Sequence, residues 1–526
     1  MILLIIVIVV LMVVIYMAYI YYYYYRYYKE NNKERDSVPI YTQQFNNEPI
    51  YIQQFNNGPI YTQQFNNEPM CTQQFNNEPI YVDDISGLNQ TLMDRIFYPS
   101  NIGDIQDIIR AAKIRNKKIS IRGQSHSMGG HSLTNNGILI DQSNMNKVLS
   151  INVNEKTIIV EPGLTWSELI FYLNEYRLSP KILQSYSSFS VGGSISVNAH
   201  GITSDKGMYD SIKSIKYIDR NGILLYCDRN DTIFGLIIGG YGLFGIIVEC
   251  ELYVVDNVTL VMEVESLSID NFNDVYQDRL NDPNINIKLA RVNILTMEEI
   301  SFYKFITKHP YIISELSVES SEMSFVSQFM YKYLLPHKSF QKVRYGLEKI
   351  IGTPLDFSNQ TPDRNLLLYE SAKPISKLFS PFVELNKTHI LQEYFIPING
   401  FSRFMRELRL IFVNNDPGAI LLNITIRFVK YDEITLLKYA KTDMYAFVFY
   451  YRIDKSSQGD NLLAIIHNRL VSITLELNGT FYLPYRHHYS NDQLIQAYPA
   501  FPDFINYKRQ FDPDELFSNL WYERYS

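Results

Sequence analysis

Residues 2 to 25, ILLIIVIVVLMVVIYMAYIYYYYY, form an apolar run without a single charge, and nothing later in the chain repeats it. As a helix it would extend roughly 36 Å, enough to cross a hydrocarbon core of about 30 Å. The run is too long for the apolar part of a signal peptide, and it lacks a basic leader and a small-residue cleavage site. Its terminal tyrosines suit a membrane interface. Arg26, Lys29, Lys33 and Arg35 follow it, so the positive-inside rule predicts a single-pass anchor over 1–28 with the rest of the chain on the cytoplasmic side.

The pattern then changes to a ten-residue repeat, PIYTQQFNNE and its variants, starting at Pro39, Pro49, Pro59 and Pro69. A proline every ten residues blocks a continuous helix, and the period is too short for helical-pair or propeller repeats. Residues 29–84 therefore read as a low-complexity tether with a reach of very roughly 35 to 40 Å. A multivalent binding array is the rival reading.

From about Tyr98 the chain alternates between helical and strand periodicities. IGDIQDIIRAAKIRNK has apolar residues at helical spacing, and KISIRG alternates like a strand leading into the glycine-rich IRGQSHSMGGHSL. SSFSVGGSISVNAHG is a second turn rich in Gly and Ser, and SIKSIKYIDRNGILLYC predicts a hairpin around Asn221-Gly222. Further on, HILQEYFIPI, AILLNITIRFVKY and MYAFVFYYRI alternate like strands of an antiparallel sheet, with FSRFMRELRLIF as a covering helix. Gly240, Gly242 and Gly245 in GYGLFG satisfy G-x-G-x-x-G literally. That fingerprint needs a strand before it and a helix after it, whereas the strand-like IIVECELYVV follows here, so no Rossmann site is expected.

A chain of 526 residues suits two or three domains, and 46% hydrophobic with 20% charged residues describes a globular protein. The net charge of −7 gives no reason to expect a nucleic-acid partner. Three scattered cysteines exclude a disulfide framework and a zinc ribbon, and fit a reducing compartment. His126 and His131 have no Cys or acidic residue between them, which argues against a metal site. What the loop offers is backbone: Gly123, Gly129 and Gly130 permit turns that present N–H groups to an anion, and Gly192, Gly193 and Ser194 can do so from another side. Two such loops could clasp a diphosphate.

Three motifs in order, R-G-x-x-H-S, V-G-G-S-I-S-V-N-A-H-G and G-G-Y-G-L-F-G-I-I, resemble the PCMH-type FAD-binding domain of the vanillyl-alcohol oxidase type. Its members include aldonolactone oxidoreductases, alditol oxidases, cytokinin dehydrogenases and decaprenylphosphoryl ribose oxidases. The resemblance runs from about Phe97 to Val255 and resumes in FYLPYRHHYSNDQLIQAYP and YKRQFDPDELFSN. It implies an α+β fold: a two-subdomain FAD-binding domain over 88–258, an α/β cap for the substrate over 259–478, and a C-terminal segment, 479–526, that returns to the FAD domain. It further implies FAD held covalently by His126. Arg122, Gly123, Gln124, Ser125, Ser127, Gly130, Val191, Gly192, Gly193, Ser194, Asn198, His200, Gly201, Gly240, Gly245 and Ile247 would surround the cofactor. The family's commonest loop has glycine where Ser125 stands. His131 has no family counterpart and reads as a cap for the turn. His200 is either a flavin neighbour or a histidine bonded within a buried turn. A second flavin bond needs a cysteine, and none lies between Cys71 and Cys227.

The reaction implied is oxidation of a small-molecule alcohol, of sugar, lactone or polyol type, by hydride transfer to flavin N5, with oxygen or another electron acceptor completing the cycle. Glu393 and Arg427 would face the pocket from cap strands, or be solvated. Tyr485 stands where the decaprenylphosphoryl ribose oxidases carry a lysine, which counts against their particular substrate. His487, His488 and Lys508 are further candidates. Two other readings remain: a catalytically silent flavin fold serving as a membrane-attached scaffold, and a sterol-type or lipid-linked substrate presented by the membrane.

Overall fold

The computed structural model describes residues 79–316, 341–342, 362–370, 386–413 and 420–526. The expected anchor and nearly all of the expected tether lie outside these residues. Among the described residues, no helix is long and apolar enough to cross a membrane. The tether boundary expected at 84 moves back. Strand β1 (Ile80–Val82) already pairs with β2 (Thr91–Met93), and Asp84 is buried, accepting hydrogen bonds from Ser86, Asn89 and the Gly130 amide.

The flavin-side half is built on two sheets. In the smaller, β3 (Arg95–Phe97) and β4 (Ile119–Arg122) flank β5 (Ile138–Asp141) in parallel register. Helix α1 (Ile102–Ile114) covers it, with Asn101 as N-cap and Ile105, Ile108, Ile109 and Ala112 buried at helical spacing. The larger sheet is antiparallel. It runs β10 (Leu224–Asp228), β9 (Ile212–Ile218), β11 (Ile246–Asp256), β7 (Thr157–Val160), β6 (Val148–Asn152), with β8 (Leu178–Pro180) on the far end of β11. The predicted hairpin is the β9–β10 pair, closed by Gly222 at φ +79°.

The cap is a seven-stranded sheet in the order β12 (Leu260–Ser268), β14 (Glu299–Thr307), β13 (Ile285–Val292), β16 (Ile420–Val429), β17 (Met444–Asp454), β15 (Lys387–Pro397), β18 (Thr480–Phe481). Every pairing in it is antiparallel, so the cap is α+β rather than the α/β expected. Its last strand comes from the C-terminal segment, so that segment does not return to the FAD half alone. The helices Phe401–Phe412 and Ser457–Glu476 bury apolar stripes on one face of the sheet. The other face turns to the flavin half, and period-two alternation brings Leu391 and Glu393, Asn423, Thr425 and Arg427, and Val448 and Tyr450 onto it together.

Candidate active site

A cavity of about 210 Å³ lies between the two halves, walled by the two glycine-rich loops on one side and the cap sheet on the other. The first loop leaves β4 at Arg122, whose Nε donates to Asp141 on the next strand at 2.6 Å. A Cβ at Gly123 would sit 1.9 Å from the Ser190 hydroxyl oxygen and 3.0 Å from its Cβ, so a side chain there would force Ser190 to shift where the two loops meet. Ser125 adopts φ +54°, the left-handed region that glycine enters without penalty. The family's usual glycine at this position therefore has a conformational cause. The loop is gripped from outside: Ile85 N donates to Ser125 O at 3.0 Å, Met128 N to Pro484 O at 2.8 Å, and Arg486 Nη1 to Met128 O at 3.0 Å. Arg486 is itself held by both oxygens of Asp460 at 2.9 and 2.6 Å.

His126 lines the cavity and stacks on Phe189 at 4.1 Å between ring centroids. Protein packed around the ring lowers its pKa to about 3, so the imidazole is neutral and keeps a free lone pair at physiological pH. The second loop is not merely a turn. Residues Val191–Ser196 form a short helix with Gly192 and Gly193 on the cavity wall. Ser190 precedes it and lines the cavity with a hydroxyl that bonds to no protein atom.

On the cap side, Arg291, Thr425, Val448 and Glu393 occupy one cross-strand row, and Asn423, Tyr450 and Leu391 the next. Glu393 is 3% exposed and meets His200 from the second loop, with Oε1 2.6 Å from Nε2. His200 Nδ1 has no hydrogen-bond partner. Arg427 reaches across to the flavin half, donating to Ser185 Oγ at 2.6 Å and weakly to His200 O at 3.4 Å. Tyr485 lines the cavity, and burial, reinforced by the Glu393 charge, pushes its pKa well above the phenol range. It is a hydrogen-bond donor here, not a base.

Several expected residues stand behind the wall rather than on it. Ser194 Oγ is taken by Trp166 Nε1 at 2.9 Å, and Asn198 by Asp432 and the Tyr209 amide. Gly201 and Gly240 are glycines because backbone carbonyls, Leu183 O and Leu236 O, approach within 1.6 and 1.9 Å of where a Cβ would be. Gly245 faces the Tyr217 ring in the same way, Gly130 abuts Leu520, Val191 is core, and Ile247 reaches the site only by accepting from Gln142. Tyr241 and Gly242 of the third motif line the cavity instead. As expected of a non-Rossmann turn, a strand follows them. Lys508 does not join the site. Its ammonium is fully buried against Asp512 one helical turn away, which also accepts from Phe517 N. His488 is likewise occupied by Asp460 and His467, away from the cavity. His131 does not cap its turn, because neither of its ring nitrogens bonds to protein. Gln184 and Ser185, which line the cavity, carry no sequence signal, and Tyr450 was not among the expected residues. The strand alternation of MYAFVFYYRI could have indicated Tyr450.

FAD fits these residues on two observations. Gly123 lets the first loop close on Ser190 of the second, whose hydroxyl oxygen a Cβ there would approach to 1.9 Å, and Gly192 lets the second loop close on Pro162. Buried polar atoms without protein partners, on Ser132, Gln184, Ser190 and His200, all belong to residues lining this one cavity.

Comparison with known proteins agrees. A model described as FAD binding domain matches residues 93–228, and one described as D-arabinono-1,4-lactone oxidase matches residues 371–525. The L-gulonolactone oxidase of Mus musculus is 21% identical over 441 residues, covering 81% of this chain and 94% of that protein. An uncharacterised oxidoreductase of Rhodococcoides fascians is 27% identical over 161 residues, 30% of this chain and 36% of its own length. The D-arabinono-1,4-lactone oxidase of Candida glabrata is 29% identical over 188 residues, 34% of this chain and 36% of its own length. The chain thus spans nearly all of the first relative and about a third of the other two.

Proposed function

Because the chain belongs to the FAD-linked oxidoreductases of the aldonolactone oxidase type, we propose that it oxidises a carbinol carbon of a small sugar lactone or related polyol, with oxygen as the acceptor. Bound FAD supplies the acceptor for the hydride that leaves that carbon. The protein's own part is to orient the alcohol and take its proton. The observation that carries this reading is the Glu393–His200 pair at the junction of the cap sheet and the second loop. With Nε2–H donated to the carboxylate, His200 Nδ1 is left as a lone-pair acceptor in reach of a cavity ligand, and Glu393 stabilises the imidazolium formed when that nitrogen takes the hydroxyl proton. Asn423 and Thr425, bonded to each other at 3.0 Å, and Tyr450, whose hydroxyl meets His389 Nδ1 at 2.7 Å, make the cavity floor a polar hydrogen-bonded surface suited to a polyhydroxylated substrate. Tyr485 adds a phenolic donor.

We propose in addition that His126 carries a covalent bond to the flavin. Its place on the first loop and its neutral imidazole support this. One preparation tests both ideas. The purified protein is expected to be yellow, to keep its colour in an acid-precipitated pellet, and to bleach when sugar lactones are added without oxygen. Colour that washes from the pellet removes the covalent bond alone. Flavin that no lactone or polyol reduces removes the substrate class.

A further inference from the structure

The first loop contains two His-Ser pairs, His126-Ser127 and His131-Ser132, separated by Met128-Gly129-Gly130. The first pair has a role in the reading above; the second has none. The two glycines explain where the second pair goes. At Gly129 a Cβ would meet Tyr485 O at 2.5 Å and His487 Nε2 at 2.2 Å, and at Gly130, with φ +70°, it would meet Leu520 at 2.8 Å. The loop is thereby pressed against the C-terminal segment, and His131 turns into a nest of rings. Trp521 stacks on it at 5.6 Å, Tyr241 lies tilted at 5.2 Å, and His487 presents an edge at 5.2 Å.

These rings enclose the imidazole without bonding to it. His131 is 5% exposed, and both Nδ1 and Nε2 lack hydrogen-bond partners. A neutral imidazole carries one N–H donor and one lone pair, and leaving either buried and unmet is unfavourable. The nest is fixed from behind: Leu520 N donates to Leu133 O at 2.8 Å, Asn519 Nδ2 to Tyr241 O at 3.0 Å, and Trp521 Nε1 to Tyr489 OH at 3.0 Å. A rigid pocket of aromatic faces thus holds a polar ring whose remaining outlet is the FAD cavity it lines, and its neighbour Ser132 brings a second unpartnered hydroxyl to the same wall.

We propose that His131 is a direct ligand of FAD, donating its ring N–H to an acceptor oxygen or nitrogen of the dinucleotide, with the C-terminal residues Asn519 to Trp521 as the support that aims it. The inference rests on FAD binding but not on the covalent bond. It is tested on the full chain carrying His126→Ala, so that a covalent link cannot mask affinity, by titrating FAD and following flavin fluorescence. His131→Phe keeps a ring for the aromatic nest and removes the donor. It should weaken FAD binding about 10- to 100-fold, whereas His131→Gln, which keeps a donor, should stay within about threefold of the parent. Unchanged affinity in His131→Phe overturns the proposal, as does equal loss in both variants with unchanged circular dichroism. Should the phenylalanine variant fail to fold, His131→Met against His131→Gln reads the same contrast. A wild-type chain that, purified with His126 intact, neither carries flavin nor binds added FAD would instead sink the flavoprotein reading itself.

Discussion

Glu393 and His200 are 193 residues apart in the chain and 2.6 Å apart in the fold. The carboxylate is buried with the imidazole as its hydrogen-bond partner, so Glu393 sets the tautomer of His200 and leaves the lone pair on Nδ1. An amide in place of the carboxylate keeps the size but cannot stabilise an imidazolium. Glu393→Gln is therefore expected to lower kcat about 10²- to 10³-fold while the flavin content and its spectrum stay as in the wild type. Steady-state rates on the best lactone, read beside the flavin absorbance, check this; a kcat within threefold would remove the pair from the chemistry. Single residues were legible in the sequence where their role is local. His126 and Gly123 stand out through the family motif R-G-x-x-H-S and both line the cavity, and the departure at Ser125 coincides with its φ of +54°. Roles that depend on a distant partner were not legible: nothing near His200 announces Glu393. Lys508 was misread for a nearer reason, since the K-x-x-x-D spacing to Asp512 already predicts an ion pair within one helical turn.

At the scale of elements, the first loop and the last helix, Leu520–Tyr525, depend on each other. Gly130 holds a left-handed conformation and touches Leu520, so a methyl group there meets two obstacles at once. The left-handed backbone alone costs an alanine about 1–2 kcal/mol, and the contact requires the terminal helix to move. Gly130→Ala should accordingly lower both Tm and flavin occupancy, the second because Trp521 and His131 shift with the helix. The ratio of flavin to protein absorbance measures it, and full occupancy with a lowered Tm would confine the glycine's role to stability. Elements with a strong period were readable from the sequence. Alternation in HILQEYFIPI and MYAFVFYYRI gave β15 and β17, and the apolar stripe of FSRFMRELRLIF gave its helix. The stretch around Gly192 and Gly193, rich in Gly and Ser, reads as a turn in the sequence, yet it forms a short helix in which Ser194 bonds to both Ser190 O and Trp166. That outcome depends on tertiary partners that no local window contains.

At the scale of the whole molecule, the cavity exists because two halves are held face to face, by a shared apolar core and by polar contacts such as Asn198–Asp432, Lys288–Asp205 and Glu393–His200. Arg364 is the most concentrated of them. Its Nε and Nη2 donate to Ser179 Oγ, Pro180 O and Lys181 O on the flavin side at 3.0 to 3.1 Å, and Nη1 to Asn286 Oδ1 on the cap at 2.5 Å. Burial lowers its pKa to about 10, which leaves it charged at neutral pH, and no carboxylate neutralises it among these partners. The charge is instead spread over four oxygens in a geometry that suits a planar fork and not an ammonium group. Residues 184 to 186, on the cavity wall, follow directly from the segment it clamps. Arg364→Lys keeps the charge but cannot reach both halves at once, and each lost bond to a charged group removes roughly 1.5–3 kcal/mol. The flavin loops are gripped elsewhere, by Arg486 and Asp84, so flavin content should hold while the substrate wall slackens. The expected signature is a KM for the lactone raised about tenfold with kcat nearly unchanged, as uniform binding is lost. A loss confined to kcat, or of the flavin itself, would mean that this arginine supports the chemistry side of the cavity and not the wall that receives the substrate.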